Sequence, residues 1–239
     1  MASQTKVREM IAKNNAKKGG LSDKIVPIIL AIISAISILT TIAILFTLLT
    51  ETITFFTRVP LSKFFLSGTW NPTGSSPEFG IWALIIGTLK ITVIATIVAV
   101  PIGLGAAIYL NEYASDRSRR IIKPILEILA GIPTIVFGFF ALTFVTPILR
   151  NLIPNLGEFN SISPGIVVGI MIVPMITSMS EDAMSSVPDK IREGAFGLGA
   201  TKFEVATKVV LPAATSGVVA SIVLGISRAI GETMKIGRA

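Results

Sequence analysis

The stretch IVPIILAIISAISILTTIAILFTLLT, Ile25 to Thr50, runs for 26 residues without one charged side chain. A hydrocarbon core of about 30 Å needs about 20 residues of α-helix to cross it, so this run reads as a membrane span. Four more follow: Ile91–Leu110 with 20 uncharged residues, Ile128–Leu149 with 22, Asn160–Ser180 with 21 and Val209–Ser227 with 19. Lipid offers no partner to a free backbone N–H or C=O, and a helix satisfies both within the segment. A transmembrane barrel would instead alternate apolar and polar residues between short turns, a pattern absent here. The 239 residues are 51% hydrophobic and 15% charged, against about 25% charged in soluble domains. The predicted fold class is all-α, a polytopic membrane helical bundle with five visible spans.

The spans are predicted at 25–50, 81–110, 128–149, 162–180 and 209–234. A basic segment 1–24 precedes them, a tail 235–239 follows, and the connections are 51–80, 111–127, 150–161 and 181–208. A cleaved signal peptide would carry an apolar region of only about 7–15 residues, so the first span is expected to stay. Lys and Arg number six before the first span, two in 51–80, four in 111–127, one in 150–159 and four in 181–208. That alternation predicts a cytoplasmic N-terminus, with the second and fourth connections on the same side. The net charge of +7 is thereby a topology signal and gives no reason to expect nucleic acid as a partner. The external connection 51–80 carries Trp70-Asn71-Pro72 and Gly74-Ser75-Ser76-Pro77, turn formers that argue against a helix there. Lys90 is expected near the outer surface with its head snorkelling to water. Pro101 is a candidate kink in the second span.

The chain has no Cys and no His, which removes thiolate metal ligands and the commonest general base. It has no G-x-x-x-x-G-K-[ST] phosphate loop. No cofactor is expected on this chain, and any ATP that drives it must sit on another. Nothing offers a catalytic set. Glu181-Asp182 reads as a helix end.

The connection 181–208 is too polar to span and too patterned to be a linker. Ser186-Val187-Pro188-Asp189 resembles a helix start, with Asp189 favourable at the positive end. Lys190–Phe196 can form a short helix that Gly197 and Gly199 break. Thr201 is a candidate N-cap for a second helix, and Glu204 three residues on would complete a capping box. Two short helices at a glycine bend predict a compact, rigid knob.

Its residues are similar to a known pattern. Glu193, Ala195, Gly199, Val209, Leu211 and Pro212 stand at the spacing that marks integral permease subunits of ABC importers, with Gly194 replacing an Ala and Val209 an Ile. The resemblance implies a type I importer permease fold and a knob that seats in a cleft of a separate ATPase. Glu193, Ala195, Gly199, Leu211 and Pro212 would be its ATPase-coupling residues. Further stretches resemble phosphate importer permeases: Phe79-Gly80-Ile81, Gly87-Thr88-Leu89, Gly131-Ile132-Pro133-Thr134, Gly138-Phe139-Phe140 and Arg228-Ala229-Ile230-Gly231-Glu232-Thr233-Met234. The Gly-Glu-Thr-Met ending is similar to the PstC type, as opposed to its PstA-type partner. The implied partners are a homologous PstA-like permease, a dimer of ATPase subunits holding ATP and Mg²⁺, and an extracytoplasmic phosphate-binding protein, in a prokaryotic cell membrane. Permeases of this type carry a sixth span after Gly-Glu-Thr-Met, and the five visible spans do not include it; a fragment, a truncated product and a divergent form are all open readings.

In the last visible span Arg228 and Glu232 stand four residues apart, neighbours on one helix face. At about 100° per residue they share an arc of about 80° with Gly217, Ser221 and Gly225. Such a small-and-polar stripe suits close packing or a path. One reading makes the pair a salt bridge holding two helices. The other makes Arg228, Glu232 and Ser221 a substrate path, in which Arg offers a planar fork of donors to an oxyanion and Glu accepts a proton still carried by phosphate. Two alternative functions are open: a permease for sulfate or molybdate, and an ion-coupled carrier working without an ATPase.

Overall fold

The computed structural model describes the backbone of residues 21–74 and 76–236. Most of the predicted basic segment 1–24, and Gly237–Ala239 of the tail, lie outside the described residues. Nine helices carry the described chain: α1 Leu21–Arg58, α2 Leu61–Leu66, α3 Ile81–Tyr113, α4 Asp116–Gly131, α5 Thr134–Leu152, α6 Ile162–Ser185, α7 Asp189–Gly197, α8 Lys202–Ala213 and α9 Thr215–Ile236. Within them α3, α5 and α8 each contain a π turn, at Tyr109–Tyr113, Ala141–Val145 and Val205–Val210. Four helices are long and apolar enough to cross a membrane, or five if α8 and the Thr215–Thr233 part of α9, a pair bent by 76°, are counted as one span. The chain is thus an all-α, multi-pass membrane protein.

Two compact units divide the chain, one running through Ser67 and including Pro72–Phe79, the other comprising Gly68–Asn71 and the chain from Gly80 onward. In the first, α1 is exposed from Ile25 to Thr54, and Phe55 and Phe56 near its end are half-buried. Its threonines return their hydroxyls to carbonyls one turn back, as Thr40 does to Ile36 and Thr52 to Leu48, which satisfies those donors without water. Helical bonding therefore continues past Thr50 to Arg58. At its end Phe55, Phe56, Phe64 and Phe79 meet edge to face, with ring centroids 5.2–5.9 Å apart, the arrangement that the ring quadrupoles favour. Pro60 starts the short helix α2.

The second unit is built around α6. Gly165 and Gly169, a G-x-x-x-G pair, let α3 approach closely. A methyl added to Gly165 would lie 2.7 Å from Ile94, and one on Gly169 2.9 Å from the Ala95 carbonyl oxygen. Further along, Gly103 of α3 abuts Ile176, and the Thr177 hydroxyl donates to the Gly103 carbonyl at 3.1 Å. Position numbers rise together along both helices, so α3 and α6 run parallel. The α9 contacts run the other way, Gly217 against Ala183, Ser221 against Ser180 and Gly225 against Ile176. The Thr146 hydroxyl of α5 donates to Ser163 at the start of α6 at 2.8 Å, so α5 is also antiparallel to α6. Alternating direction brings the end of α3, the start of α4 and the connection 181–208 to one face.

The structure corrects several boundaries. The apolar run Ile128–Leu149 is not one rod: α4 carries the helix from Asp116 to Gly131, Ile132 and Pro133 are extended, and the span begins at Thr134. The ring of Pro133 disfavours helix at Ile132, which is the physical reason for the break. The segment 111–127 is accordingly helical over most of its length. The last span is also broken, bending by 76° between α8 and α9. By contrast α3 stays helical through Pro101. Helix α6 continues to Ser185, so Glu181 lies within it and is buried at 3% exposure, a correction to its reading as a helix end.

Candidate functional site

The knob forms from two capped helices. Helix α7 starts after extended Pro188 with Asp189 in its first turn. It stops at Gly199, whose φ of +83° lies in the left-handed region that only glycine enters without a Cβ penalty. The Ala200 N–H donates to the Ala195 carbonyl at 3.2 Å and the Gly199 N–H to Phe196 at 2.9 Å. These are the two bonds of a Schellman C-cap. Helix α8 opens with the expected capping box, the Glu204 N–H donating to the Thr201 hydroxyl and the Thr201 N–H to the Glu204 carboxylate at 3.1 Å. Lys208 donates to the same carboxylate at 3.1 Å. The Thr201 backbone N–H first, then Lys208 and the Thr201 hydroxyl, lower the Glu204 pKa from its ordinary 4.5 to about 2.

Beneath the knob Val187, Val205 and Val210 are buried with Ala107 of α3, Met184 of α6 and Val218 of α9, and Ala195 and Leu211 pack partly against them. The knob's outer surface exposes apolar side chains among charged ones: Leu198 is 91% exposed and Phe203 66%, Ile191 and Phe196 are also exposed, and so are Asp189, Lys190, Glu193 and Lys202. Glu193, Gly199 and Pro212 are exposed. Of the five residues expected to couple, Glu193 and Gly199 are thus on the open face of the knob and Ala195 on its underside. Leu211 packs partly against the same cluster as Ala195, and exposed Pro212 follows it near the bend leading into α9.

A set of buried polar contacts ties the same face together, and the sequence reading missed it. Arg192 of α7 donates from one terminal nitrogen to the Glu112 carboxylate at 2.9 Å and from the other to the Met184 carbonyl at 2.6 Å. The side chains of this pair are 15% and 7% exposed. Arg119 of α4 donates to the carbonyls of Leu110 and Asn111 at 2.7 and 2.9 Å. The Asn111 amide donates to the Glu181 carbonyl, and Lys123 pairs with the Glu181 carboxylate at 2.7 Å. A cavity of about 200 Å³ opens beside that last pair, between α4 and α6. The available signal was placement: Glu112 and Glu181 each close an apolar run, in connections otherwise rich in Lys and Arg.

The stripe on α9 divides in two. Gly217, Ser221 and Gly225 pack on α6; a methyl on Gly217 would meet Ala183 at 2.5 Å. Ser221 is fully buried and its hydroxyl lies 2.7 Å from that of Ser180. Arg228 and Glu232 are half-buried in the later half of α9. Among the described residues Arg228 makes no ion pair, so the structure does not join it to Glu232 or to a neighbouring helix as a salt bridge.

Parallel and antiparallel helices gathered around α6, with a capped knob ahead of α9, form a membrane helical bundle that carries the expected permease motif residues on and beside the knob. In agreement, the sequence profile described as binding-protein-dependent transport system inner membrane component matches residues 99–236, and the chain belongs to that family. It is 38% identical over 175 residues to the Bacillus subtilis (strain 168) protein named "Probable ABC transporter permease protein YqgH", covering 73% of this chain and 56% of that protein. It is 38% identical over 193 residues to the phosphate transport system permease protein PstC of Haemophilus influenzae, covering 73% of this chain and 61% of that one. The chain thus spans less than two thirds of the length of these relatives. A chain of the inward-facing MetNI methionine ABC transporter shares the fold, with a TM-score of 0.55 and 22% identity over 64% of this chain and 72% of that one.

Proposed function

We propose that this chain is a permease subunit of an ATP-driven importer of inorganic phosphate. Its spans would form part of the path, and the 181–208 segment would couple to a separate ATPase. The observation that carries this reading is the knob: a rigid, doubly capped projection presenting Leu198, Phe203 and Phe196 to solvent from an otherwise polar connection. An apolar patch on a capped, preorganised element is a surface for a protein partner. The partners are a dimer of ATPase subunits that holds ATP and Mg²⁺, a homologous PstA-like permease and an extracytoplasmic phosphate-binding protein. The Lys and Arg counts set the knob and the N-terminus on the cytoplasmic side.

Phosphate as cargo is supported by the likeness to PstC proteins and by Arg228 with Glu232. The guanidinium supplies a fork of donors matched to a tetrahedral oxyanion. Glu232 one turn on accepts a proton that phosphate carries and sulfate lacks. It also offsets the charge of Arg228, which keeps the anion's residence short. Ser221, committed to Ser180 in the helix contact, serves the path by holding α9 against α6. The test is phosphate uptake by the reconstituted complex with sulfate or molybdate as competitor. Uptake resistant to both anions, and abolished in Arg228→Gln with assembly intact, is the expected result. Loss of assembly in Arg228→Gln, or inhibition by either competitor, contradicts the assigned path or cargo.

A further inference from the structure

We infer that Arg192 is a positioning residue whose buried pair with Glu112 carries the motion of the knob to the end of α3. The inference rests on the docking reading proposed above and goes beyond it by naming the link. Helix α7 has nine residues, no fully buried one, and exposes Glu193 and Phe196 toward the proposed ATPase. Its own attachments to the spans decide whether a push on that face moves them. Ala195 contributes only partial burial beneath the knob. Arg192 instead reaches past α7 with both terminal nitrogens, to Glu112 of α3 at 2.9 Å and to the Met184 carbonyl of α6 at 2.6 Å. Asp189, on the same helix, is 4.0 Å away and 89% exposed, so it competes weakly for that guanidinium.

The receiving end is built to respond. Glu112 lies in the π turn Tyr109–Tyr113 that ends α3, and π turns are local irregularities that a helix can shift or lose. From the other side Arg119 of α4 holds the Leu110 and Asn111 carbonyls of that same turn, and the Asn111 side chain donates to the Glu181 carbonyl of α6. Two arginines from two short helices therefore grip one turn, Arg119 through its backbone and Arg192 through its only carboxylate. A screw-like displacement of α7 pulls on Glu112 while Arg119 holds α4 in register with it. The pair is mostly shielded from water, so its attraction is screened far less than that of a surface pair. A Lys in place of Arg192 would keep the charge and lose the fork that reaches both acceptors.

None of these 239 residues is cysteine, so introduced thiols can be placed at chosen positions of this chain and tested in the full complex, reconstituted with its ATPase, partner permease and phosphate-binding protein, with any cysteines of the other chains replaced. ATP hydrolysed and phosphate taken up are measured in the same vesicles for wild type, Glu112→Gln, Arg192→Lys, and the double variant Arg192→Cys with Glu112→Cys. The expected result is ATPase retention equal to wild type with phosphate carried per ATP reduced about tenfold in all three variants. Joining the two introduced thiols with a short bismaleimide should restore coupling in the double variant, which a merely structural role would not do. Wild-type coupling in Glu112→Gln, or no recovery after joining the thiols, overturns the inference and leaves the docking reading standing. Failure of wild type to retain the ATPase overturns the docking reading, and this inference with it.

Discussion

Glu204 and Gly199 illustrate how single residues set the shape of the knob. The Thr201 N–H, Lys208 and the Thr201 hydroxyl all favour the charged form of Glu204 and lower its pKa to about 2. A carboxylate whose pKa is depressed by folding contributes stability that is complete above its ordinary value of 4.5 and declines as pH falls toward the folded value. Carboxyl-detected NMR in detergent should therefore place its midpoint near 2, and knob stability should fall between pH 4.5 and 2. A midpoint at 4.5 would mean that the capping box is not formed. At Gly199 the left-handed backbone predicts that Gly199→Ala destabilises the knob by about 1 kcal/mol and Gly199→Asn by less. Hydrogen exchange of the Ala200 and Gly199 amides reads both effects directly. Both features were legible in the sequence, because caps depend on residues within one turn of each other. The Arg192–Glu112 and Lys123–Glu181 pairs were not, since their partners stand 80 and 58 positions apart and no local pattern joins them.

At the scale of elements, length and apolarity located the spans and could not locate their breaks. Ile128–Leu149 is uninterrupted in composition, yet the X-Pro step at Ile132-Pro133 ends one helix and starts another. The bend between α8 and α9 follows the π turn Val205–Val210 and Pro212, inside the uncharged run that starts at Val209, so apolarity alone gave no sign of it. The G-x-x-x-G pair Gly165–Gly169 was a readable packing signal on α6, and the α9 stripe proved to be packing over Gly217, Ser221 and Gly225. For the knob as an element, the exposed Leu198 predicts that Leu198→Asp and Glu193→Lys each weaken copurification of the ATPase at least about tenfold, the size expected of a contact central to an interface. Circular dichroism and detergent melting should be unchanged, because neither side chain is buried. Copurification equal to wild type in both variants would show that the ATPase binds elsewhere.

For the whole molecule, parallel α3 and α6 with antiparallel α5 and α9 are what alternating passes through a bilayer require. That arrangement gathers the 111–127 and 181–208 connections on one face, where four Lys and Arg each argue for the cytoplasm. The proposed function gives this scaffold a mechanical role, in which a partner's nucleotide cycle would move the spans through the knob. Its most direct test is phosphate entry into vesicles holding the complete complex and loaded phosphate-binding protein, measured with ATP, without ATP, and with an ATPase that binds but does not hydrolyse it. Accumulation against a gradient is expected only where ATP is hydrolysed. Phosphate accumulation at the same rate with the hydrolysis-deficient ATPase, or in vesicles lacking the ATPase, would contradict it.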